Sequence, residues 1–300
     1  MSNASLAAGV WGVVATPFSG STLEVDEASL TRLVQHYEGI GVAGLTVLGV
    51  FGEAAHLASA ERRAVLETVV DTVDLPLVVG ATSLGTAPVI EEVRLAQEVV
   101  GNRLAGAMVQ VCSGSAEVLN RHLRAIHEAT GAGIVVQDYP LASGVTITSE
   151  ALITAVRQLP FVVGVKAEAP PTTVAVAALS AALDVPTFGG LGGIGLLDEL
   201  AAGSAGAMTG FSYPEGLIAC LDAWRDGGYE AARQAFLPYL PLVNFEQQAK
   251  VALAIRKECL RQRGLIMESS VRPPATSMPE ALVEQARRHL AAVPHAQVAA

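Results

Sequence analysis

The chain has 300 residues, of which 51% are hydrophobic and 16% charged, and its formal net charge is −10. This apolar fraction excludes a disordered chain. Acidic residues outnumber basic ones 29 to 19, with no block of Lys or Arg, which argues against a nucleic-acid partner. Charges, Pro and Gly-rich turns interrupt every long apolar run, so we predict no membrane span.

The cysteines and the first basic residue bear on cellular location. Cys112, Cys220 and Cys259 are widely spaced and odd in number, which argues against a disulfide framework. The first basic residue is Arg32, so the usual start of a secretory signal is missing. We therefore predict a cytoplasmic protein.

Eight short apolar runs recur along the chain, and each precedes a segment of helix length. They are apolar throughout, as is typical of parallel strands covered on both faces. Eight such units predict a closed (β/α)8 TIM barrel over residues 1–226. A doubly wound open sheet is the alternative, but its GxGxxG fingerprint does not follow the first strand. The predicted strands span residues 10–17, 44–48, 77–80, 106–111, 134–137, 162–166, 187–190 and 206–210.

The strand pattern stops near residue 227. Residues 229–236, 245–263 and 279–290 are expected to form helices, and Gly264 is suited to end the second of them. We predict that residues 227–300 form a C-terminal helical extension packed on the barrel.

Lys166 is the first candidate for chemistry. It ends the sixth predicted strand, at the edge of the barrel where active sites form. Apolar walls disfavour the charged form of a lysine, and a neutral amine can attack a carbonyl to form a Schiff base. The alternative is a lysine paired with Glu168 or another carboxylate at the mouth. The other lysines, Lys250 and Lys257, are expected on a solvated helix face.

Two glycine-rich segments are candidates for anion binding. Gly49-Val50-Phe51-Gly52-Glu53 follows the second strand, and its backbone N–H groups could bind a carboxylate or phosphate; an ordinary turn is the alternative. Residues 189–195, which include Gly190, follow the seventh strand. They contain no Lys, Arg or Ser, so close packing is the preferred interpretation there, with phosphate binding as the alternative.

Gln137 and Tyr139 stand at the end of the fifth strand with equal parity, so both could face the barrel axis. A tyrosine there relays protons or forms a hydrogen-bonded wall. We predict no metal site, because the histidines lack ligand spacing with carboxylates at a strand end. They are His36, His56, His122, His127, His289 and His295.

Taken together, four motifs in chain order resemble the dihydrodipicolinate synthase / N-acetylneuraminate lyase superfamily of class I aldolases. They are Thr16-Pro17-Phe18, the segment Gly49 to Glu53 followed by Leu57, Gly164-Val165-Lys166, and the 249–253 segment followed by Gly264 and Val271-Arg272-Pro273-Pro274. The resemblance covers nearly the whole chain.

The resemblance implies a pyruvate-type 2-oxo acid as the small-molecule substrate. The backbone N–H groups of Val50 and Phe51 would hold its carboxylate, and its ketone would condense with Lys166. We add Gly49, Gly190 and Met208 to the expected substrate-binding set. No cofactor is implied, and the expected assembly is a homo-oligomer, a tetramer or a dimer.

The sequence departs from the family pattern at several positions. Phe51 stands where a threonine hydroxyl belongs to the proton relay, and Gln137 aligns with the general acid/base tyrosine. The segment after the fourth strand is shortened to Cys112-Ser113-Gly114, and no acid follows the seventh strand, where Leu191 and Gly192 stand. We therefore do not expect authentic dihydrodipicolinate synthase or sialic-acid lyase activity.

Three functions remain open on the sequence. The first is a Schiff-base lyase or aldolase in which Tyr139, a water held by Gln137, or a substrate group moves protons. The second is a dehydratase of 2-keto-3-deoxy sugar acids that uses the same lysine. The third is a non-catalytic 2-oxo-acid-binding protein.

Overall fold

The eight predicted strands form one closed parallel barrel, which confirms the (β/α)8 prediction. A computed structural model describes residues 5–294. Each barrel strand pairs with its neighbours until the last closes on the first. Two further short strands, Phe18–Ser19 and Glu24–Val25, pair as an antiparallel hairpin. The strands are β1 (Gly9–Val13), β2 (Phe18–Ser19), β3 (Glu24–Val25), β4 (Gly44–Val47), β5 (Leu77–Ala81), β6 (Leu104–Gln110), β7 (Ile134–Asp138), β8 (Val162–Ala167), β9 (Thr187–Gly189) and β10 (Gly206–Thr209).

Helices cover the outer face of the barrel, so the strands are buried on both faces. In α4, for example, Leu119, Leu123 and Ile126 recur at helical spacing and face the sheet, while Ser115 caps the first turn. The helices are α1 (Glu27–Gly39), α2 (Ser59–Thr72), α3 (Thr86–Val100), α4 (Ala116–Thr130), α5 (Pro140–Ser143), α6 (Ser149–Val156), α7 (Thr172–Ala182), α8 (Leu196–Ala201), α9 (Pro214–Phe236), α10 (Leu240–Phe245), α11 (Ala252–Gln262) and α12 (Val283–Ala292).

The C-terminal part is helical, but its bounds differ from the prediction. The expected boundary at residues 226–227 falls inside α9, which kinks at Gly228. The expected single helix over 245–263 is wrong: α10 ends at Phe245 and α11 begins at Ala252. Lys250, at φ +69°, takes a left-handed conformation that a continuous helix cannot contain. Gly264 also has a left-handed backbone, directly after α11, as predicted.

Apolar side chains fill one part of the barrel interior, and a cavity occupies another. A cluster of apolar side chains that includes Trp11, Met108, Phe188 and Met208 closes the barrel interior. A cavity therefore lies at the carboxyl ends of the strands, which is where TIM barrels place their active sites. Within residues 5–294, no helix combines the length and the apolar character that a bilayer crossing needs.

Candidate active site

A cavity of about 490 Å³ opens at the carboxyl ends of the barrel strands. Its lining includes most of the residues singled out in the sequence: Gly49, Val50, Phe51, Gln137, Tyr139 and Lys166. The expectation that Gln137 and Tyr139 face the same side agrees with this arrangement. The C-terminal extension completes the wall with residues that the sequence did not indicate, among them Gln247 and Arg256.

Gly190 and Met208 do not line this cavity, so the structure does not support contact with a ligand there. Met208 is buried in the apolar cluster of the barrel interior, and the next residue, Thr209, reaches the cavity instead. Gly190 lies so close to Glu168 that a Cβ at position 190 would overlap the Glu168 carboxyl group. Glycine at 190 therefore makes room for Glu168, which agrees with the packing interpretation of this loop.

Lys166 and Glu168 form a buried ion pair at the cavity. Strand β8 presents Lys166, and its Nζ lies 3.3 Å from Glu168 Oε2. Their exposures are only 6% and 4%, so solvent screens this pair weakly. The Lys166 amine therefore reaches the cavity and has a carboxylate partner there. The expectation of purely apolar surroundings for this lysine is therefore wrong, because the Glu168 carboxylate lies beside it.

The Glu168 carboxylate is held from both sides. Gln137 Nε2 donates to Oε2 at 2.7 Å, and the backbone N–H of Leu191 donates to Oε1 at 3.2 Å. Gln137 thus orients an acid, at the position where the family pattern has a tyrosine. The sequence analysis considered Glu168 only as a partner of Lys166. Its place two residues after the strand-end lysine was the available signal for a role in the site.

Two groups near Glu168, Asp138 and Tyr139, have raised pKa values. Burial, with a smaller contribution from the Glu168 charge, raises the pKa of Asp138 to about 6. The same two causes raise the pKa of Tyr139 above its usual value. Ionised tyrosine is therefore disfavoured, so Tyr139 is better suited to donate a hydrogen bond than to act as a base.

The turn Gly49 to Glu53 presents free backbone donors to the cavity. Among residues 5–294, neither the Val50 nor the Phe51 N–H donates to a protein acceptor, although Glu53 N bonds Val50 O at 3.1 Å. Thr16 Oγ1 donates to Gly52 O at 2.7 Å and ties the turn to the chain after β1. Two neighbouring unpaired N–H groups suit a carboxylate.

Lys257 and Glu53 form a second buried pair beneath this turn. The expectation of a solvated Lys257 is wrong: its side chain is fully buried, bonds Glu53 and donates to Ser270 O at 2.8 Å. The Arg272 N–H donates to the other Glu53 oxygen at 2.8 Å. Lys250 is exposed, as expected, but it lies in the turn before α11 at the rim of the cavity.

The family model of the Dihydrodipicolinate synthetase family matches residues 6–293. The chain belongs to this family. Its members among known proteins include lyases and dehydratases, so the chain is a lyase-type enzyme of the class I aldolase kind.

Individual relatives match most of the chain. An L-2-keto-3-deoxyarabonate dehydratase of Azospirillum brasilense is 30% identical over 287 residues, which cover 91% of this chain and 89% of that protein. A 4-hydroxy-tetrahydrodipicolinate synthase of Methanopyrus kandleri is 28% identical over 240 residues, covering 78% and 79%. The crystal structure of dihydrodipicolinate synthase from Rhodopseudomonas palustris superposes with a TM-score of 0.88 at 29% identity, covering 97% of this chain and all of that one.

Metal binding has no visible basis in the described part of the chain. Across residues 5–294, no group of three or more His, Cys, Asp or Glu side chains is arranged to hold a metal ion. His295 lies outside the described residues.

Proposed function

We propose that this chain is a Schiff-base dehydratase that acts on a 2-keto-3-deoxy sugar acid through Lys166. The observation that carries the proposal is the placement of Glu168, which is buried, held by Gln137 and 3.3 Å from the Lys166 amine. The 30% identity to a 2-keto-3-deoxy acid dehydratase over most of both chains supports the same chemistry.

The reaction begins with an imine between Lys166 and the C2 ketone of the substrate, with loss of water. The Val50 and Phe51 N–H groups hold the adjacent carboxylate. Glu168 then takes a proton from C3 and leaves an enamine, whose electron pair expels the C4 hydroxyl. The proton on Glu168 passes to that hydroxyl, which departs as water. A proton shift along the carbon chain of the substrate then gives the second oxo group. Hydrolysis of the imine releases the dioxo acid and restores Lys166.

The position of Glu168 favours elimination over carbon–carbon cleavage. C3 is the second atom from the imine nitrogen, so a carboxylate beside that nitrogen lies near the C3 protons. Cleavage of the C3–C4 bond instead requires a base at the C4 hydroxyl, which is farther along the substrate. Gln137 cannot supply such a base, because an amide does not accept a proton at neutral pH.

A lyase or aldolase that releases pyruvate and an aldehyde is the second candidate. Tyr139 favours it, because this side chain also lines the cavity and its hydroxyl could serve the C4 oxygen. A non-catalytic 2-oxo-acid binder is the third. Retention of a buried lysine beside a held carboxylate argues against it, since simple binding does not need that pair.

A trapping experiment tests the imine. The protein is incubated with pyruvate and borohydride, and the reduced adduct is mapped by peptide mass spectrometry. We expect an adduct on Lys166 that Lys166→Arg abolishes and that the matched control Lys250→Arg leaves intact. Absence of an adduct, or an adduct on Lys250 or Lys257, would overturn the proposal.

The products then separate the candidates. A panel of 2-keto-3-deoxy sugar acids is offered to the wild-type protein, and the products are identified by mass. A dioxo acid formed with loss of one water supports the dehydratase, whereas pyruvate plus an aldehyde supports the lyase. Trapping without turnover on any of these substrates points to the binder.

Assembly and location also belong to the proposal. We retain a homo-oligomer, a tetramer or a dimer, which light scattering of the purified protein tests directly. A cytoplasmic location is retained because Cys112, Cys220 and Cys259 are all free thiols, as expected in a reducing compartment.

A further inference from the structure

A second group of polar side chains lines the cavity on the side of the C-terminal extension. It consists of Arg256 on α11 and Gln247 in the segment between α10 and α11. The Arg256 side chain is only 13% exposed. Within residues 5–294 the Arg256 Nε forms an ion pair with Glu246 but its guanidinium donates no hydrogen bond, and the Gln247 amide nitrogen is buried without a partner. Buried donors without acceptors are costly, so this arrangement suits a site that a ligand completes.

Gly192 shows that the two donor groups are neighbours. A Cβ at Gly192 would overlap the Gln247 amide nitrogen and would lie 2.5 Å from Arg256 Nη2. Gly192 also has a left-handed backbone, at φ +66°, and its N–H donates to Thr209 Oγ1 at 2.6 Å. A side chain at position 192 would therefore displace both donors, so glycine lets them pack close to this backbone, and Thr209 Oγ1 is already engaged by Gly192.

The Arg256 guanidinium lines the cavity, and the buried Glu246 carboxylate compensates its charge. Arg256 Nε lies 3.5 Å from Glu246 Oε2, and Glu246 is completely buried and accepts bonds from Ser212. The Arg256 guanidinium carbon also lies 5.8 Å from the centre of the Phe51 ring. Glu246 and Phe51 thus fix the guanidinium from two directions, while the exposed Lys250 adds a second cation at the rim.

We propose that Arg256 and Gln247 bind a carboxylate at the end of the substrate opposite to the 2-oxo acid group. A carboxylate only accepts hydrogen bonds, so it matches a donor-rich subsite, and a planar guanidinium can hold both of its oxygens. The inference rests on the proposed function, since it assumes that Lys166 anchors the other end. The substrate class is then a 2-oxo dicarboxylate, in the form of a 2-keto-3-deoxy aldaric acid.

Three five-carbon 2-oxo acids that differ only at the far end test this inference: 2-oxopentanoate, 5-hydroxy-2-oxopentanoate and 2-oxoglutarate. The corresponding six-carbon acids, 2-oxohexanoate, 6-hydroxy-2-oxohexanoate and 2-oxoadipate, cover a longer reach. The half-saturating concentration for borohydride trapping on Lys166 is measured for each. In at least one series, we expect the dicarboxylate to half-saturate wild-type protein at a concentration about tenfold or more below its two analogues. Charged hydrogen bonds justify this size of effect.

Variants assign the preference to the subsite. Arg256→Gln should raise the half-saturating concentration of the preferred dicarboxylate about 10–100-fold and leave that of pyruvate unchanged. Gln247→Leu should act in the same direction to a smaller extent. Arg261→Gln is the matched control, because Arg261 lies on the same helix, is 41% exposed and pairs with Glu258. This control should change neither value.

The outcomes separate the two proposals. If wild-type protein is not trapped by pyruvate, the proposed function fails. If pyruvate is trapped but neither series favours the dicarboxylate, or the preference survives both Arg256→Gln and Gln247→Leu, the distal subsite fails while the Lys166 chemistry stands. Pyruvate trapping also reports whether each variant retains its fold, and the wild-type comparison tests the inference without any variant.

Discussion

At the scale of single residues, the Glu168 carboxylate is the group on which turnover should depend. Glu168→Gln keeps the size of the side chain and its contact with Gln137 but cannot accept a proton. We expect kcat for dehydration to fall by about 10²–10⁴-fold, which is the usual contribution of a general base. Trapping of pyruvate on Lys166 should persist. Product formation under saturating substrate and borohydride trapping measure the two effects separately.

The control for Glu168 is an acid outside the cavity. Glu150→Gln, at the exposed start of α6, should leave kcat unchanged. If Glu168→Gln retains wild-type kcat, Glu168 is not the base. If it abolishes trapping as well as turnover, its role is to maintain the ion pair rather than to move the C3 proton.

Tyr139 is expected to assist the departing hydroxyl as a hydrogen-bond donor. Burial and the Glu168 charge raise its pKa, so its proton stays on the oxygen across the neutral range. Tyr139→Phe should therefore lower kcat by about 10²-fold without preventing the imine. Steady-state kinetics measure this effect, with Tyr229→Phe, on the partly exposed Tyr229 of α9, as the control. Full turnover by Tyr139→Phe would remove the residue from the mechanism.

At the scale of elements, helix α11 supports the turn that is proposed to bind the substrate carboxylate. Lys257 on α11 bonds Glu53, and the Arg272 N–H holds the second oxygen of the same carboxylate. The Lys257 ammonium also lies 4.3 Å from the centre of the Phe18 ring. The extension is therefore part of the site, because it fixes the turn from below and contributes Arg256 to the cavity wall.

Breaking this buried pair should be costly for stability. Lys257→Met leaves the Glu53 charge buried with one partner fewer, and we expect the free energy of unfolding to fall by about 3–5 kcal/mol. The double variant Lys257→Met with Glu53→Gln should lose less than the two single changes added together, because neither charge is then left alone. Urea denaturation measures all three. Lys250→Met, at an exposed position, is the control, and an equal effect of both lysine variants would contradict the pairing argument.

Local patterns in the sequence predicted the secondary-structure elements well. They predicted the contacts between residues far apart in the chain less well. Continuous apolar runs identified all eight barrel strands, because burial on both faces leaves a strong signal in each segment. The break between α10 and α11 was missed, since the left-handed conformation of Lys250 has no mark in the residue types. Lys257 was misassigned for a related reason: its partner Glu53 lies 204 residues away along the chain.

The same contrast holds within the site. Lys166 and the turn from Gly49 to Glu53 could be found from motifs, because each is continuous in sequence. Arg256 and Gln247 could not, since only the fold brings the extension over the barrel mouth. Glu168 was recognised as a neighbour of Lys166, but its orientation by Gln137 and Leu191 depends on three different strand ends.

At the scale of the whole molecule, the cavity differs in charge from the rest of the protein. The chain has a net charge of −10 and only three lysines, yet Lys166 and Lys250 both line the cavity beside Arg256. Glu168 is the acid among the lining residues. Lys166 is paired with Glu168 and Arg256 with the buried Glu246, so the exposed Lys250 carries the excess positive charge at the cavity. A cation at the mouth of a cleft attracts anions, which agrees with a substrate that carries carboxylates.

Buried acids should also make stability depend on pH. Glu199 on α8 is 1% exposed, and the nearby Thr172 hydroxyl offsets only part of the cost of burying its carboxyl group. Burial raises its pKa from 4.5 to about 7. The folded protein therefore binds this proton more tightly than the unfolded chain does. The resulting stability is complete below about pH 4.5 and is lost as the pH rises through 7.

We expect Glu199 to reduce the free energy of unfolding by on the order of 3 kcal/mol between pH 4.5 and pH 8. Glu199→Gln, which stays neutral, should flatten the curve in this range. Asp138, whose pKa is raised from 3.8 to about 6, acts in the same direction and should leave a residual slope at the acidic end. Urea denaturation at closely spaced pH values measures both curves, with Glu150→Gln, at an exposed position, as the control. Parallel curves for wild type and Glu199→Gln would show that the Glu199 carboxyl is solvated in the folded state, since a buried carboxyl with a raised pKa requires the slopes to differ.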